Sequence, residues 1–416
     1  MWCDCCSEEK IRMTSKGKTI LVTDGDIRSA LSIVRSLGRR GFNTIVGSEK
    51  EKSLAFYSKY CSKKIVYPSP YTEKSKFVEF MLNFIKQNKI DLLIPVSDLT
   101  IYPISERLNE FNRYTKVACP EKSILDKAFD KEETLRIAKK LNIPIPETYF
   151  VNKLDGIKDL SEQIEYPAVI KPKFSRYWKN DQMIHGFRKF VYSKSEFIEA
   201  YLDLHSQLPF PLVQEFIEGE GYGISVLANH GNPLAIFAHK RIREVPISGG
   251  ASTLRESVEP NSLMKKYAIK LLKEIKWDGV AMVEFKLDKK DNIPKLMEIN
   301  GRFWGSLELA VSSGVNFPYL LCQKMLGKVV DPVLRYNIRH KCRWLRGDSE
   351  YLMSVLESSD FKWSYKTKTM LDFLKIFERN MSYDTLKFND PLPGIYENIF
   401  YIKSLLLSLV RRLIKG

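Results

Sequence analysis

Two short apolar stretches, Val280-Ala-Met-Val-Glu-Phe-Lys286 and Lys295-Leu-Met-Glu-Ile-Asn300, flank the polar run Asp288-Lys-Lys-Asp-Asn292. Alternation on both sides of a polar loop predicts a hairpin, and the period of two puts Glu298 and Asn300 on one face. Pairing about residue 291 sets Glu284 opposite Glu298. Two carboxylates ~5 Å apart repel by about 3 kcal/mol at an effective dielectric of 20, so the spacing calls for a compensating cation. Three oxygen-bearing side chains on a rigid sheet suit Mg²⁺, which keeps several waters and borrows ligands from substrate phosphates. Without a ligand the pair would be a solvated face. Arg302 continues that face and offers a planar fork to phosphate or carboxylate. A metal face ending in arginine points to a polyphosphate.

Other residues have the chemistry to complete such a site. Lys171 closes the apolar Tyr166-Pro-Ala-Val-Ile-Lys-Pro172, and Lys127, in Leu125-Asp-Lys-Ala128, precedes a helix expected at 129. Either lysine alone would ordinarily be a solvated surface group. Leu212-Val-Gln-Glu-Phe-Ile-Glu-Gly219 reads as a strand whose end, Glu215 to Ile217, can present backbone groups to a base edge. His239-Lys-Arg-Ile-Arg-Glu244 is followed by the small-residue run Ser248-Gly-Gly-Ala-Ser-Thr253. Alternation sends His239, Arg241 and Arg243 to one face, where with the loop's N–H groups they can hold an anion; a basic edge strand is the other reading. The acceptor pocket is not legible. Trp304, Trp344 and Tyr177 are aromatic candidates for its wall, or core residues.

The elements that must carry these residues follow from periodicity. Ile20-Leu-Val22, the turn Thr23-Asp-Gly-Asp26 and a helix with apolar positions at Ile27, Ala30, Leu31, Val34 and Leu37 open the chain's regular part, with Gly41 at the helix end. Thr44-Ile-Val46, Asp91 to Pro95 and Lys116-Val-Ala118 read as further strands, with helices near 73–88 and 101–111. This alternation predicts a parallel α/β layer over 18–118. Gly25 stands alone in the first turn, so a dinucleotide fingerprint is missing. A helix near 129–141 stops at Asn142-Ile-Pro-Ile-Pro146. Beyond it, strands interleaved with helices near 195–207 and 261–275 predict an α+β body over 119–330. Residues 331–416 lean helical.

The chain has 416 residues, 44% hydrophobic and 28% charged, with a net charge of +16. That composition excludes disordered and fibrous classes, and it admits either nucleic-acid or acidic-surface binding or service to polyanionic small molecules. Ser404 to Val410, an uncharged run near the C-terminus, is too short to cross a bilayer. Met1 to Lys18 lacks the apolar core of a signal peptide, which makes a reducing cytoplasm the expected compartment. Cys61, Cys119, Cys322 and Cys342 read as buried small hydrophobes, whereas Cys3, Cys5 and Cys6 lie in a segment, 1–17, expected to be a disordered extension. Ile399 to Ile414 has an apolar stripe beside Arg411, Arg412 and Lys415; it can dock on its own protein or lie on an anionic membrane, and the former is preferred.

Taken in order, Lys127 before a helix, Tyr-Pro-Ala-Val-Ile-Lys-Pro, Gln-Glu-Phe-Ile-Glu-Gly-Glu-Gly, Met-Val-Glu-Phe-Lys and Leu-Met-Glu-Ile-Asn-Gly-Arg resemble the ATP-grasp superfamily over about 18–330. The likeness is to single-module enzymes related to the carbamoyl-phosphate synthetase large subunit. It implies an N-terminal parallel α/β (pre-ATP-grasp) layer, a two-lobed ATP-grasp body and a helical C-terminal extension. It implies ATP as the nucleotide, with Mg²⁺ or Mn²⁺. By the same likeness Lys127 and Lys171 contact phosphates, Gln214, Glu215, Phe216 and Ile217 form the adenine hinge, and Glu220 holds the ribose. Glu284, Glu298 and Asn300 hold the metal, while Arg302 stabilises the transferred phosphate or holds the acceptor; Lys171 and, from the basic strand read above, Arg241 are expected to serve the transfer with it. The loop after Lys171, Pro172 to Asp181, departs from the glycine-rich lid of many relatives. The implied activity is ligation of a carboxylate to an amine through an acyl phosphate, with an ATP-binding regulatory protein as the alternative. Small-molecule carboxylate and amine partners are expected, nucleic acid is not, and a homo-oligomer is left open.

Overall fold

A computed structural model describes residues 17–376 and 378–399. Cys3, Cys5, Cys6 and the expected helix beyond Ile399 lie outside the described residues.

Ile20, Leu21 and Val22 are wholly buried because their strand is covered on both faces. It is β1 (Thr19–Val22), at the centre of a parallel sheet with β2 (Asn43–Ser48), β3 (Cys61–Val66), β4 (Leu92–Ile94) and β5 (Lys116–Val117), in the order β3-β2-β1-β4-β5. The helix Arg28–Gly38 packs one face of β1 against Phe303, Trp304 and Leu307, far along the chain, and the helix Lys74–Gln87 covers the other. The polar-faced β3 has a single buried position and shows no apolar run in the sequence.

The helix expected near 129–141 is Lys131–Lys140, and a further helix, Lys122–Phe129, precedes it. Asp130 leaves helical geometry and its carboxylate accepts from the N–H groups of Glu132 and Glu133, capping the second. Lys127 precedes that helix as expected, but itself sits in the last turn of the added one.

The smaller lobe is an antiparallel sheet of β6 (Thr148–Tyr149), β7 (Ala168–Lys171), β10 (Lys189–Val191) and β11 (Leu212–Glu215). Between β7 and β10 the segment read as a loop forms a hairpin, β8 (Arg176–Lys179) and β9 (Gln182–His185). It docks on the N-terminal layer. Asp181 at its tip accepts from the N–H and hydroxyl of Ser75, Met183 N–H donates to Tyr71 O, and Trp178 Nε1 donates to Pro70 O at 3.0 Å.

The larger lobe is a sheet of seven strands: β12 (Gly219–Asn229), β13 (Asn232–Val245), β14 (Ala251–Ser257), β15 (Gly279–Asp288), β16 (Pro294–Asn300), β17 (Lys341–Arg343) and β18 (Met381–Tyr383), in the order β16-β15-β12-β13-β14-β17-β18. The C-terminal region contributes the helices Leu345–Glu357 and Trp363–Leu374, and its two short strands also extend this sheet. Buried ion pairs fasten it: Asp384 takes both Arg28 and Arg255, Arg343 Nε meets Asp348 at 2.5 Å, and Arg35 Nε meets Asp390 at 2.8 Å. Cys322 and Cys342 are buried as expected, while Cys61 and Cys119 are only partly so.

Candidate active site

β15 and β16 pair antiparallel with Glu284 directly opposite Glu298 and Met282 opposite Asn300, the register expected from the hairpin. Asn300 Nδ2 bridges the carboxylates, 2.9 Å from Glu284 Oε1 and 3.3 Å from Glu298 Oε1. Side chains supply the compensating cations: Arg241 NH2 lies 2.5 Å from Glu284 Oε2, and Lys131 Nζ lies 3.6 Å from Glu298 Oε2. Burial pushes the Glu284 carboxyl up, with Arg241 opposing. Burial pushes Glu298 the same way, but Lys131, Lys171, Arg241 and Arg302 together outweigh it and hold that carboxyl low. The two therefore differ in acidity although they face each other.

These residues form the charged end of a cavity of about 730 Å³ between the lobes, within the range of small-ligand sites. Its other end is lined mainly by Val169, Phe190, Phe216, Ile217, Phe285 and Met297, with the Lys286 ammonium 5.3 Å from the Phe216 ring. Lys171 reaches the cavity from the end of β7, its ammonium pushed down to about 8 by burial against the pull of Glu298. Glu215, Phe216 and Ile217 line the cavity where β11 leads into β12. The Glu215 N–H donates to Glu147 O and the Ile217 carbonyl accepts from Lys286 Nζ. The loop Ser248–Gly250 closes one side, and Arg188 donates to Gly249 O across the mouth.

Several expected residues lie elsewhere. Lys127 is exposed and does not line the cavity; Lys131 does, its ammonium 2.6 Å from Ser175 Oγ. The signal for it was present, since Asp130-Lys131 repeats the Asp-Lys pair of 126–127 immediately before a capped helix. Gln214 is buried under the hinge, donating to Thr148 Oγ1 at 2.8 Å. Glu220 is exposed and paired with Lys240; its neighbour Gly221 lines the cavity. His239 is buried beside Ser306, and a register shift between Arg241 and Arg243 turns Arg243 to Asp348 at 3.1 Å, so of these three only Arg241 faces the cavity. Trp304 is core, Trp344 is covered by Arg28, and Tyr177 points outward.

Arg302 lies in an adjoining cavity of about 180 Å³, its Nε 2.6 Å from Asp98 Oδ1. This cavity shares Lys131, Ser175, His185 and Glu298 with the larger one.

Two carboxylates converging with one amide match the hard oxygen chemistry of Mg²⁺, and a flip of the Asn300 amide presents Oδ1 in place of Nδ2. Among the described residues no group of three or more His, Cys, Asp or Glu side chains converges on a metal position. Nor is any helix among them long and apolar enough to cross a membrane.

Residues 207–345 match the family described as "ATP-grasp in the biosynthetic pathway with Ter operon". The carbamoyl phosphate synthase large chain of Pyrococcus furiosus is 27% identical over 214 residues, 49% of this chain and 19% of that protein. The C-terminal section of the Methanocaldococcus jannaschii large chain is 20% identical over 352 residues, 79% of this chain and 54% of that protein. The chain thus spans about a fifth to a half of these curated relatives. In structure it is similar to an N5-carboxyaminoimidazole synthetase from Staphylococcus aureus complexed with ADP, at a TM-score of 0.61 and 15% identity over 79% of this chain and 81% of that one. Over residues 207–345 the chain is similar to an ATP-grasp family, and over longer stretches to carbamoyl phosphate synthase large chains.

Proposed function

We propose that the chain is an ADP-forming ligase that activates a carboxylate as an acyl phosphate for capture by an amine. The observation that carries this is the polarity of the interlobe cavity: mostly apolar side chains at the hinge, and Lys131, Lys171 and Arg241 gathered with two facing carboxylates at the far end.

Phe216, Ile217, Val169 and Phe285 would enclose the base. Lys171 and Lys131 would hold the phosphates, and Glu284, Glu298 and Asn300 would hold Mg²⁺, which when bound neutralises charge on the transferred group. A carboxylate oxygen of the acceptor attacks the γ-phosphorus as the bond to the β,γ-bridging oxygen breaks, releasing ADP. The amine nitrogen then attacks the acyl carbon, inorganic phosphate leaves and the amine loses a proton. Arg241, paired with Glu284, would stabilise charge on the transferred phosphoryl group, and Arg302, in the adjoining cavity, would serve the transfer from the acceptor side. Positioning and electrostatics suffice for this chemistry, and no nucleophilic side chain is needed.

The test is ADP release from Mg²⁺·ATP across a pool of small carboxylates, with hydroxylamine present. Carboxylate-dependent ADP together with a hydroxamate supports acyl-phosphate formation. ADP binding without turnover on any carboxylate favours a regulatory nucleotide binder.

A further inference from the structure

The smaller cavity beside Glu298 has two unlike walls. One is charged: Arg176 from the hairpin, Arg302 after β16 and Asp98 from the N-terminal layer. The other is apolar: Ala128, Phe129, Phe174 and Trp178. Trp178 offers no free polar atom, because Nε1 is committed to Pro70 O and Tyr102 stacks on its ring at 5.3 Å. Asp98 lies between the two arginines, 2.6 Å from Arg302 Nε and 4.0 Å from Arg176 Nε. Arg176 NH1 is buried and has no hydrogen-bond partner. A buried guanidinium N–H without an acceptor is costly unless a ligand supplies one.

The charge balance narrows that ligand. Lys131, Arg176 and Arg302 face Asp98 and Glu298, which leaves one positive charge in the lining. A monoanion balances it; a dianion overshoots, and a free ammonium meets carboxylates already committed to arginine, lysine and Asn300.

We propose that this cavity is the acceptor subsite, that Arg176 and Arg302 hold the carboxylate to be phosphorylated beside Glu298, and that the substrate is a small monocarboxylate with an apolar or planar tail seated against Trp178 and Phe129. This rests on the ligase reading, and it assigns to the docked hairpin a role in choosing the acceptor. The attacking oxygen enters from the side of Lys131 and Ser175, the residues shared with the nucleotide cavity.

The test is calorimetric titration of the full chain with acetate, butyrate, phenylacetate and succinate, with and without ADP. Butyrate or phenylacetate should bind more tightly than acetate and succinate. Arg176→Met should weaken that binding about tenfold or more, and Arg176→Lys should restore part of it. Trp178→Ala should remove most of the advantage of phenylacetate over acetate, about fivefold or more. ADP affinity should be unchanged in every variant, which shows that the lobes remain folded. The proposal is overturned by tightest binding of succinate, by unchanged affinity in Arg176→Met, or by no binding of any of the four. Because binding is read without turnover, the ligase reading fails separately: a bound monocarboxylate would then give neither ADP nor hydroxamate.

Discussion

Arg241 reaches Glu284 across an intervening strand, and it does so over Gly221. Arg241 lies on β13 and Glu284 on β15, with β12 between them. A Cβ at Gly221 would stand 3.1 Å from Arg241 Cδ, so the missing side chain is what lets the arginine lie along the sheet with NH2 2.5 Å from Glu284 Oε2. Gly221→Val should displace Arg241, lower ADP release about tenfold or more and cost about 1–3 kcal/mol in stability. Turnover at the wild-type rate would show that Arg241 does not act through this contact.

Removing one of the facing carboxylates separates charge repulsion from function. Glu298→Gln keeps the shape of the site and relieves its repulsion with Glu284. Because Lys131, Lys171, Arg241 and Arg302 together hold the Glu298 carboxyl low, loss of its charge should lower thermal stability at neutral pH, while Mg²⁺-dependent ADP release falls about 100-fold or more, beyond the loss typical of a group that only orients a ligand. A variant with near-normal turnover would remove Glu298 from the proposed metal set.

The two Asp-Lys pairs make a matched comparison. Lys131→Ala takes away an ammonium inside the cavity and should raise the dissociation constant of ADP about tenfold, as expected for a charge-assisted contact. Lys127→Ala, on the exposed turn, should stay within about twofold. The opposite ranking in a fluorescent-ADP titration would restore Lys127 as the phosphate contact.

Lys171 confers a pH dependence whose sign is fixed by its lowered value. With a pKa of about 8 in the folded protein, the ammonium is present below pH 8 and lost above it. ADP affinity should be flat from pH 6.5 to 8 and then decline by up to about tenfold per unit, since binding must restore the proton. Fold stability runs the other way. An unfolded lysine keeps its proton to about pH 10.4, so between pH 8 and 10.4 the unfolded chain holds more protons and stability rises with pH. Lys171→Arg should flatten the binding curve over the same range; an unaltered decline would assign it to another group.

Asp384 is the shared counter-charge of Arg28 and Arg255. Asp384→Ala leaves two buried guanidinium groups without it and should cost about 3–5 kcal/mol, read from urea unfolding. A loss below about 1 kcal/mol would mean that water reaches the pair.

What the sequence revealed best was local. The hairpin register of Glu284 and Glu298 followed from period-two alternation about a polar loop, because one buried face pins the register. The place of Lys171 at the cavity wall was legible because an apolar strand ends on it. Glu220 was misplaced by one position, and on a strand a one-residue error turns a side chain to the other face. Tyr177 and Trp178 show the same effect. Arg243 was misdirected by a register shift that an alternating sequence does not announce. β17 and β18 are three residues each and owe their pairing to segments far along the chain, β17 to β14 and β18 to β17, so nothing local marks them.

The pairing of Arg255 with Asp384 also bears on the order of events during synthesis. The carboxylate is made 129 residues after the guanidinium, roughly 6–26 s later at ordinary elongation rates. Until then the nascent chain holds the site-bearing strands with a guanidinium that lacks its counter-charge and, once β17 has been made, a β17 edge that lacks β18. The buried pair and the edge of this sheet are thus completed only once β18, the last strand among the described residues, has been made, and chaperone demand should peak in that interval.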